Sequence, residues 1–361
     1  MFPEPKIKIE YASEVDRELW DAFVENNAFS APYHLWGFGE TFSLTYGYKR
    51  YYLIAKDENN NTIGVFPLIF IKSRLFGSKL ISLPFCEYGG PLSSNIKNSK
   101  TMIMAFIDEI LNIASKLNID YLEIRNSTLN GEWFEDRGFK TIKKYLTFQI
   151  NLSVDKKRLW GSLDRKTRNA IRKAMKANID IFDFTIDDKN NLKKYFLLYL
   201  QIEKKLGSPP HSFKLFTNLL ATKKSIKLLM AEYKGEPAGG VIVFYNKKGI
   251  YWWNGVSNSK FKNLNVTNLL LWKIIEWGNE NGFSFLNLGR TRKGTGVYHF
   301  KKGLGGEEIF YTDYVYPLPN KKVVSLDPTK GIYKYLTKFW SHLPLFISRS
   351  LGPRIIKQIG L

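Results

Sequence analysis

Two stretches of this chain run through the same elements in the same order, and that repeat limits the fold more than any other feature. The first stretch predicts strands over 51–57, 63–71 and 79–85, a Gly-Pro loop, a helix over 101–118 and a strand over 120–126. A short segment at 132–139 and a strand over 145–152 close it. The second predicts strands over 226–233, 238–246 and 249–257, a polar loop at 258–265, a helix over 266–282 and a strand over 283–289. The run VYHFKKGLGG and a strand within 307–318 close that pass. Ala55 lines up with Ala231 at an offset of 176, and Leu122 with Leu286 and Gly138 with Gly303 at offsets of 164 and 165. Ile103, Phe106, Ile107 and Ile110 in one helix, and Leu270, Leu271, Ile274 and Ile275 in the other, recur at helical spacing.

Hairpin strands, a crossover helix and a return strand, met twice, predict an α/β (α+β) fold: two copies of one unit, with mixed sheets flanked by helices. A chain of 361 residues also exceeds what one core comfortably fills, about 250–300 residues. The expected domains are 1–152 and 153–318, the second opening on a basic helix at 162–178, with the tail 319–361 packing on the first.

The balance of 54 Lys+Arg against 33 Asp+Glu gives a net charge of +21, a field that draws anions: phosphates, nucleic acid or an acidic membrane face. One cysteine, Cys86, excludes an internal disulfide, and four scattered histidines show no zinc-ligand spacing, so no metal is expected. Charges run through residues 1–20 and the longest apolar run, 63–71, contains Pro67; a cytoplasmic protein is expected. Positive charge peaks at 162–178, where Leu163, Thr167, Ala170, Ile171 and Ala174 make a small apolar face and Arg165, Lys166, Arg168, Arg172, Lys173 and Lys176 take the rest. That helix reads either as a solvated basic face or as a phosphate-binding one.

The element order is that of the GNAT acyltransferase fold, and several runs resemble the Fem (FemAB) peptidyltransferases of cell-envelope assembly. The basic helix DRKTRNAIRKAMKANIDI resembles that family's Arg-rich helix opening the second domain, and GRTRKGTGVYHFKKGLGG its Phe-Lys segment. PYHLWGFGETFSLTYGY, GVFPLIF and LPFCEYGGPL resemble its entry strand and Gly-Gly-Pro loop. With the tail FWSHLPLFISRSLGPRIIKQIGL, the chain is most similar to the FemAB-like subgroup associated with PEP-CTERM/exosortase exopolysaccharide systems, over roughly residues 28–361.

The resemblance implies transfer of an acyl or aminoacyl group to an amine, with no tightly bound cofactor and with aminoacyl-tRNA or acyl-CoA as co-substrate. Amide formation passes through a tetrahedral oxyanion and needs positive charge near the developing oxygen and an acceptor for the amine proton. Lys301, after Phe300, matches the family's functional lysine; alone it would read as a surface lysine. Phe300 and Tyr298 would wall the site, while Glu87, Tyr88 and His299 are proton-acceptor candidates by residue type. Arg290 and Arg292 follow a strand end in a glycine-rich loop and, with Arg168 and Arg172, would face an anionic substrate in a cleft between the units. His211 in GSPPHSF is either a substrate contact or a loop-packing residue, and Asn254 after Trp252-Trp253 either a donor to a substrate carbonyl or a strand-end cap. The loops 90–100 and 258–265 lack the glycines with which acetyl-CoA-binding GNAT units cradle pyrophosphate, which tilts the expectation toward a tRNA-type donor.

Residues 328–361 carry Lys330, Lys334, Lys338, Arg349, Arg354 and Lys357 and no acid; Ile332, Tyr335, Leu336, Phe339, Trp340 and Leu343 share one helical face. Such a tail either docks on the protein or lies on anionic lipid at the inner membrane face. The expected partner is an anionic cell-envelope precursor (a muropeptide, a nucleotide-linked amino sugar or an exopolysaccharide unit), with charged tRNA as a donor and no DNA. A CoA-dependent acyltransferase for a polysaccharide or small amine, and a non-catalytic RNA-binding module, are the alternatives.

Overall fold

The computed structural model describes residues 6–94, 99–125, 131–219, 222, 225–321, 323 and 331–360, with backbone only at 331–334. Contacts divide the chain into two compact units, one of Met1–Lys143, Tyr311–Asp327 and Ile355–Leu361 and one of Lys144–Phe310 and Pro328–Arg354. These boundaries differ from the expected 152/153 and 318/319, and the tail divides between the units instead of joining the first.

The second unit is built on a seven-stranded sheet in the order Asp180–Phe184, Ile226–Tyr233, Glu236–Tyr245, Gly249–Ser257, Phe285–Asn287, Leu146–Asn151, Glu307–Phe310. Ile226–Tyr233 and Glu236–Tyr245 form a tight hairpin because Lys234 and Gly235 both take positive φ (52° and 76°), which keeps the strand twist through a two-residue turn. The one parallel pair, Gly249–Ser257 with Phe285–Asn287, needs a crossover, and helix Val266–Glu280 supplies it. Two adjacent glycines let helices close on both sheet faces. A Cβ on Gly239 would lie 2.9 Å from Val266 Cγ1, and one on Gly240 2.8 Å from the ring of Tyr195 in helix Lys189–Leu206.

The basic helix forms as expected over Arg165–Met175. Asp164 caps it by accepting from the Thr167 N–H at 2.5 Å. Thr167, Ile171 and Ala174 are buried, while Arg165, Lys166, Arg172, Lys173 and Lys176 stay in solvent.

The first unit holds two sheets, ordered Lys8–Tyr11, Leu53–Lys56, Thr62–Phe66, Leu92–Ser93 and Lys49–Arg50, Ile69–Ile71, Lys79–Ile81, Tyr121–Ile124, Asp313–Pro317, Lys140–Ile142. The run 63–71 is not one strand: Pro67, lacking an N–H, ends Thr62–Phe66 in one sheet before Ile69–Ile71 begins in the other. Helix Ser99–Leu117 buries Met102, Ile103, Phe106, Ile107 and Ile110. The segment likened to an entry strand is helical, Pro32–His34 followed by Trp36–Tyr46, and stops at Gly47 with φ 69°.

The repeat is visible in the pairing itself. Ala55 and Ala231 both sit at a register shift in the first hairpin of their units. Leu122 and Leu286 hold the same place in a parallel pair, opposite Leu80 and Ile250. The third landmark fails: Gly138 has φ 84° but Gly303 has φ −63°, and the nearby left-handed glycine is Gly305. The closing strands also differ from expectation. Leu146–Asn151, read as the end of the first pass, pairs with Phe285–Asn287 and Glu307–Phe310 in the second unit's sheet. The strand expected within 307–318 is two, and Asp313–Pro317 inserts between Tyr121–Ile124 and Lys140–Ile142 of the first unit.

This exchange gives a testable expectation. Residues 1–143 expressed alone lack an internal strand and should show no cooperative thermal transition by circular dichroism. Residues 144–310 keep all seven strands and should melt cooperatively; the reverse pattern would refute the assignment of the strands.

Candidate active site

Strand Gly249–Ser257 follows Phe285–Asn287 for three residues, Gly249 to Tyr251, and then leaves it. Beyond Asn287 the chain stays with Leu146–Asn151 instead, through Leu288 N–H to Phe148 O at 3.0 Å and a bridge between Thr291 and Leu146. Residues 252–257 are thus paired on one side only, against Glu236–Tyr245. A wedge opens at the carboxyl end of a parallel pair, where α/β sheets expose unpaired backbone groups. On its paired side the strand shifts register at Trp252–Asn254. It turns Trp252 toward the core beneath helix Val266–Glu280, while Trp253 packs against Phe216 and Phe244.

Lys301 lies at the mouth of this wedge. It sits on helix Gly296–Lys302, which Thr295 caps by accepting from the Tyr298 N–H, and it is only 7% exposed. Its ammonium donates to the carbonyls of Gly289 and Arg290, both at 3.0 Å, and stands 6.0 Å from the Trp252 ring centre. The cation therefore spans the two diverging strands. Tyr298 is buried, meets the Phe148 ring at a tilt and donates to Glu308 at 2.8 Å, a bond that holds its hydroxyl protonated above the usual phenol range. Phe300 is half-buried against the core and His299 faces solvent.

The arginines have local partners. Arg290 and Arg292 lie over the ring of Tyr145, 5.1 and 5.2 Å from its centre, and Arg292 donates to its hydroxyl at 3.1 Å. Arg168 donates to the carbonyls of Gly161 and Leu163, and Arg172 lies 5.4 Å from the Trp160 ring centre. The basic helix and the Lys301 helix meet at Gly303, whose carbonyl accepts from the Asp164 N–H at 2.9 Å. A Cβ on Gly303 would lie 2.7 Å from Asp164 Oδ2.

Asn254 and His211 fall on the opposite sheet face, with helix Lys189–Leu206. Asn254 Oδ1 accepts from Tyr195 Oη at 2.5 Å, so it caps no strand end. The His211 N–H donates to Tyr199 Oη, and burial pushes its imidazole down to about 3, which leaves it neutral. Tyr195, Tyr199 and Glu203 share this face at helical spacing. Burial lifts the Glu203 carboxyl to about 7, a half-buried acid the sequence did not single out because its neighbours Lys204 and Lys205 read as an ordinary solvated helix end.

Glu87 and Tyr88 belong to the first unit. Glu87 is half-buried near Tyr33, whose phenol is pushed well up by burial first and then by that carboxylate; Tyr88 meets Tyr311 edge-on. The parallel pair of this unit, Lys79–Ile81 with Tyr121–Ile124, stays closed at its end. Ser82 N–H bonds to Glu123 O, and Gly89 N–H to Arg125 O. The Arg125 guanidinium binds Glu123 Oε1 and the carbonyls of Cys86 and Gly360 at 3.0–3.2 Å. Lys79, 1% exposed, lies 3.9 Å from Glu123, and burial lowers its ammonium to about 8.

Residues 165–302 match the family model described as an acetyltransferase (GNAT) domain. The chain carries a GNAT acyltransferase domain. The match falls within the unit that keeps the open wedge. No curated protein matches at the sequence level. Among solved structures, FemX superposes with a TM-score of 0.69 at 15% identity, over 86% of this chain and 97% of FemX. The C-terminal domain of a putative lysylphosphatidylglycerol synthetase from Agrobacterium fabrum gives 0.59 at 10% identity, over 84% and 92%. A tandem GNAT protein from the clavulanic acid biosynthesis pathway gives 0.56 at 10% identity, over 88% and 100%. The fold is a tandem GNAT arrangement over most of the chain, and the GNAT domain makes the protein an acyltransferase.

Two measurements check this geometry. Lys301→Met removes the ammonium from one buried and one part-buried carbonyl and should cost roughly 2–5 kcal/mol in urea unfolding; an unchanged midpoint would show that the ammonium is not anchored there. For Glu203, the folded protein holds a proton that the unfolded chain releases between the ordinary 4.5 and about 7. Stability should therefore fall as pH rises through that window, by at most about 1.4 kcal/mol per pH unit. Glu203→Gln should flatten that slope, and an unaltered profile would place the carboxyl in water.

Proposed function

We propose that the protein transfers an acyl or aminoacyl group to an amine of an anionic cell-envelope precursor: a peptidoglycan-type peptide, an amino sugar or an exopolysaccharide unit. The observation that carries this reading is the buried Lys301 ammonium fixed at the mouth of the wedge. The amine nitrogen attacks the carbonyl carbon of an ester or thioester, the carbonyl oxygen gathers negative charge, and the alcohol or thiol leaves as the amide forms. A cation already oriented in a poorly solvated place stabilises that oxygen with little reorganisation. Arg290 and Arg292, braced on Tyr145, and Arg168 and Arg172 of the basic helix supply the positive edge for substrate phosphate or carboxylate. Phe300 and Tyr298 wall the site, and His299 stands as an acceptor for the amine proton; Asn254 and His211, on the opposite sheet face, stay outside it.

Two donors have separate support. The glycine-poor loop before helix Val266–Glu280 favours aminoacyl-tRNA: it is wound into a short 3₁₀ helix, Ser259–Leu264, in place of an open phosphate cradle. The match to the acetyltransferase (GNAT) domain family favours acyl-CoA. Either donor keeps the enzyme in the cytoplasm, working toward the inner membrane face where envelope precursors become lipid-linked.

Purified protein given labelled acyl-CoA or labelled aminoacyl-tRNA, each with a panel of envelope-type amines, should yield new amide from one donor. Removing the Lys301 charge should cut the rate by about 100-fold or more. Absence of product from both donors across the panel would overturn the proposal.

A further inference from the structure

The helical tail carries apolar groups that the acyl-transfer site does not use. Its inner side is seated on the second unit. Trp340 is 8% exposed and Ser348 fully buried, the Thr337 carbonyl lies 2.2 Å from where a Cβ of Gly207 would stand, and Gly352 packs on Pro210. The helices Gly331–His342 and Leu345–Ile359 are therefore docked, and the docking contacts are already made. The outer side is a different surface. Tyr335 is 73% exposed, Leu336 49%, Phe339 64% and Phe346 73%.

The structure so divides the apolar face expected from the sequence: Trp340 turns inward, while Tyr335, Leu336 and Phe339 turn out. Lys330 and the side chains of Ile332 and Lys334 lie outside the described residues. Lys338, Arg349 and Arg354 flank the outward groups, and no acidic residue occurs anywhere in 328–361.

We infer that this outer face docks on an anionic lipid bilayer. Three aromatic rings and a leucine left in water, within one helical turn and the start of the next helix, form an apolar patch of the kind that soluble surfaces avoid. Tyr and Phe favour the headgroup boundary, where the ring enters acyl chains and the hydroxyl stays wet. The charge that the tail itself carries has a single sign, which selects a negative surface over a neutral one. Among the described residues no helix is long and apolar enough to cross a membrane, so contact is made by lying on the surface. The inference stands apart from the acyl-transfer reading, because binding is scored without turnover.

The test is flotation of the full chain with vesicles of phosphatidylcholine alone, or with about one-third phosphatidylglycerol, at low and high salt. The chain should float with the anionic vesicles only, and less at high salt. Phe339→Ser with Phe346→Ser should weaken that binding about tenfold or more. Both sites are exposed, so the thermal transition and transfer to a water-soluble amine should be unchanged. Three results would overturn the inference. One is failure to float with anionic vesicles. A second is flotation untouched by the double substitution, which would move the contact to another surface such as the basic helix Arg165–Met175. The third is a light-scattering mass that halves on substitution, which would make the face an interface between two copies.

Discussion

The candidate site depends on one device, the anchoring of the Lys301 ammonium to the carbonyls of Gly289 and Arg290. Two parallel strands that part leave backbone groups without partners, and a sheet ordinarily closes such a gap or loses stability there. Here one lip of the gap is taken up by a side chain instead of a strand. That side chain leaves a cation where a strand would have left only peptide dipoles, so the same contact that holds the wedge open also charges it.

The first unit shows the other solution to the same problem. Its parallel strands have the same order and the same leucine register, yet Arg125 draws the carbonyls of Cys86 and Gly360 together over their end, and Ser82 and Gly89 continue the pairing. Its cations are spent internally, Arg125 on carbonyls and Glu123, Lys79 beside the same carboxylate. Duplication thus gave one unit an open wedge and the other a sealed one. The family match is confined to residues 165–302, within the unit that keeps the wedge open.

The repeat was legible because hairpins, a crossover helix and a return strand each leave a local pattern. The matching register shifts at Ala55 and Ala231 show that even a fine detail of pairing survived in both halves. The exchange of closing strands was not legible. An alternating segment such as Leu146–Asn151 states that one of its faces is buried, but nothing in its period names the sheet that buries it. The same limit applies to the charged residues. Sequence placed Arg290 and Arg292 at a strand end, while the ring they lie against, Tyr145, is distant in the chain and adjacent only through the pairing of Leu146 with Thr291. Glu203 and Tyr195 were missed because a single half-buried acid or buried phenol on an amphipathic helix has no spacing signature.

Net charge hides a difference that position reveals. A chain with 54 Lys and Arg has many cations, but most of those on the basic helix, Arg165, Lys166, Arg172, Lys173 and Lys176, stand in water, where salt screens them within about 10 Å. Their effect is on encounter: they raise the local concentration of any anion without fixing its pose. Lys301 and Arg168 are few by comparison, yet each is tied to two backbone carbonyls, and a charge whose direction is fixed before substrate arrives does more for a transition state than many that must reorganise. On the proposed reading, the exposed set would select the class of partner and the held set the chemistry. A composition count weighs both alike, which is why charge alone pointed equally to phosphate, RNA and membrane.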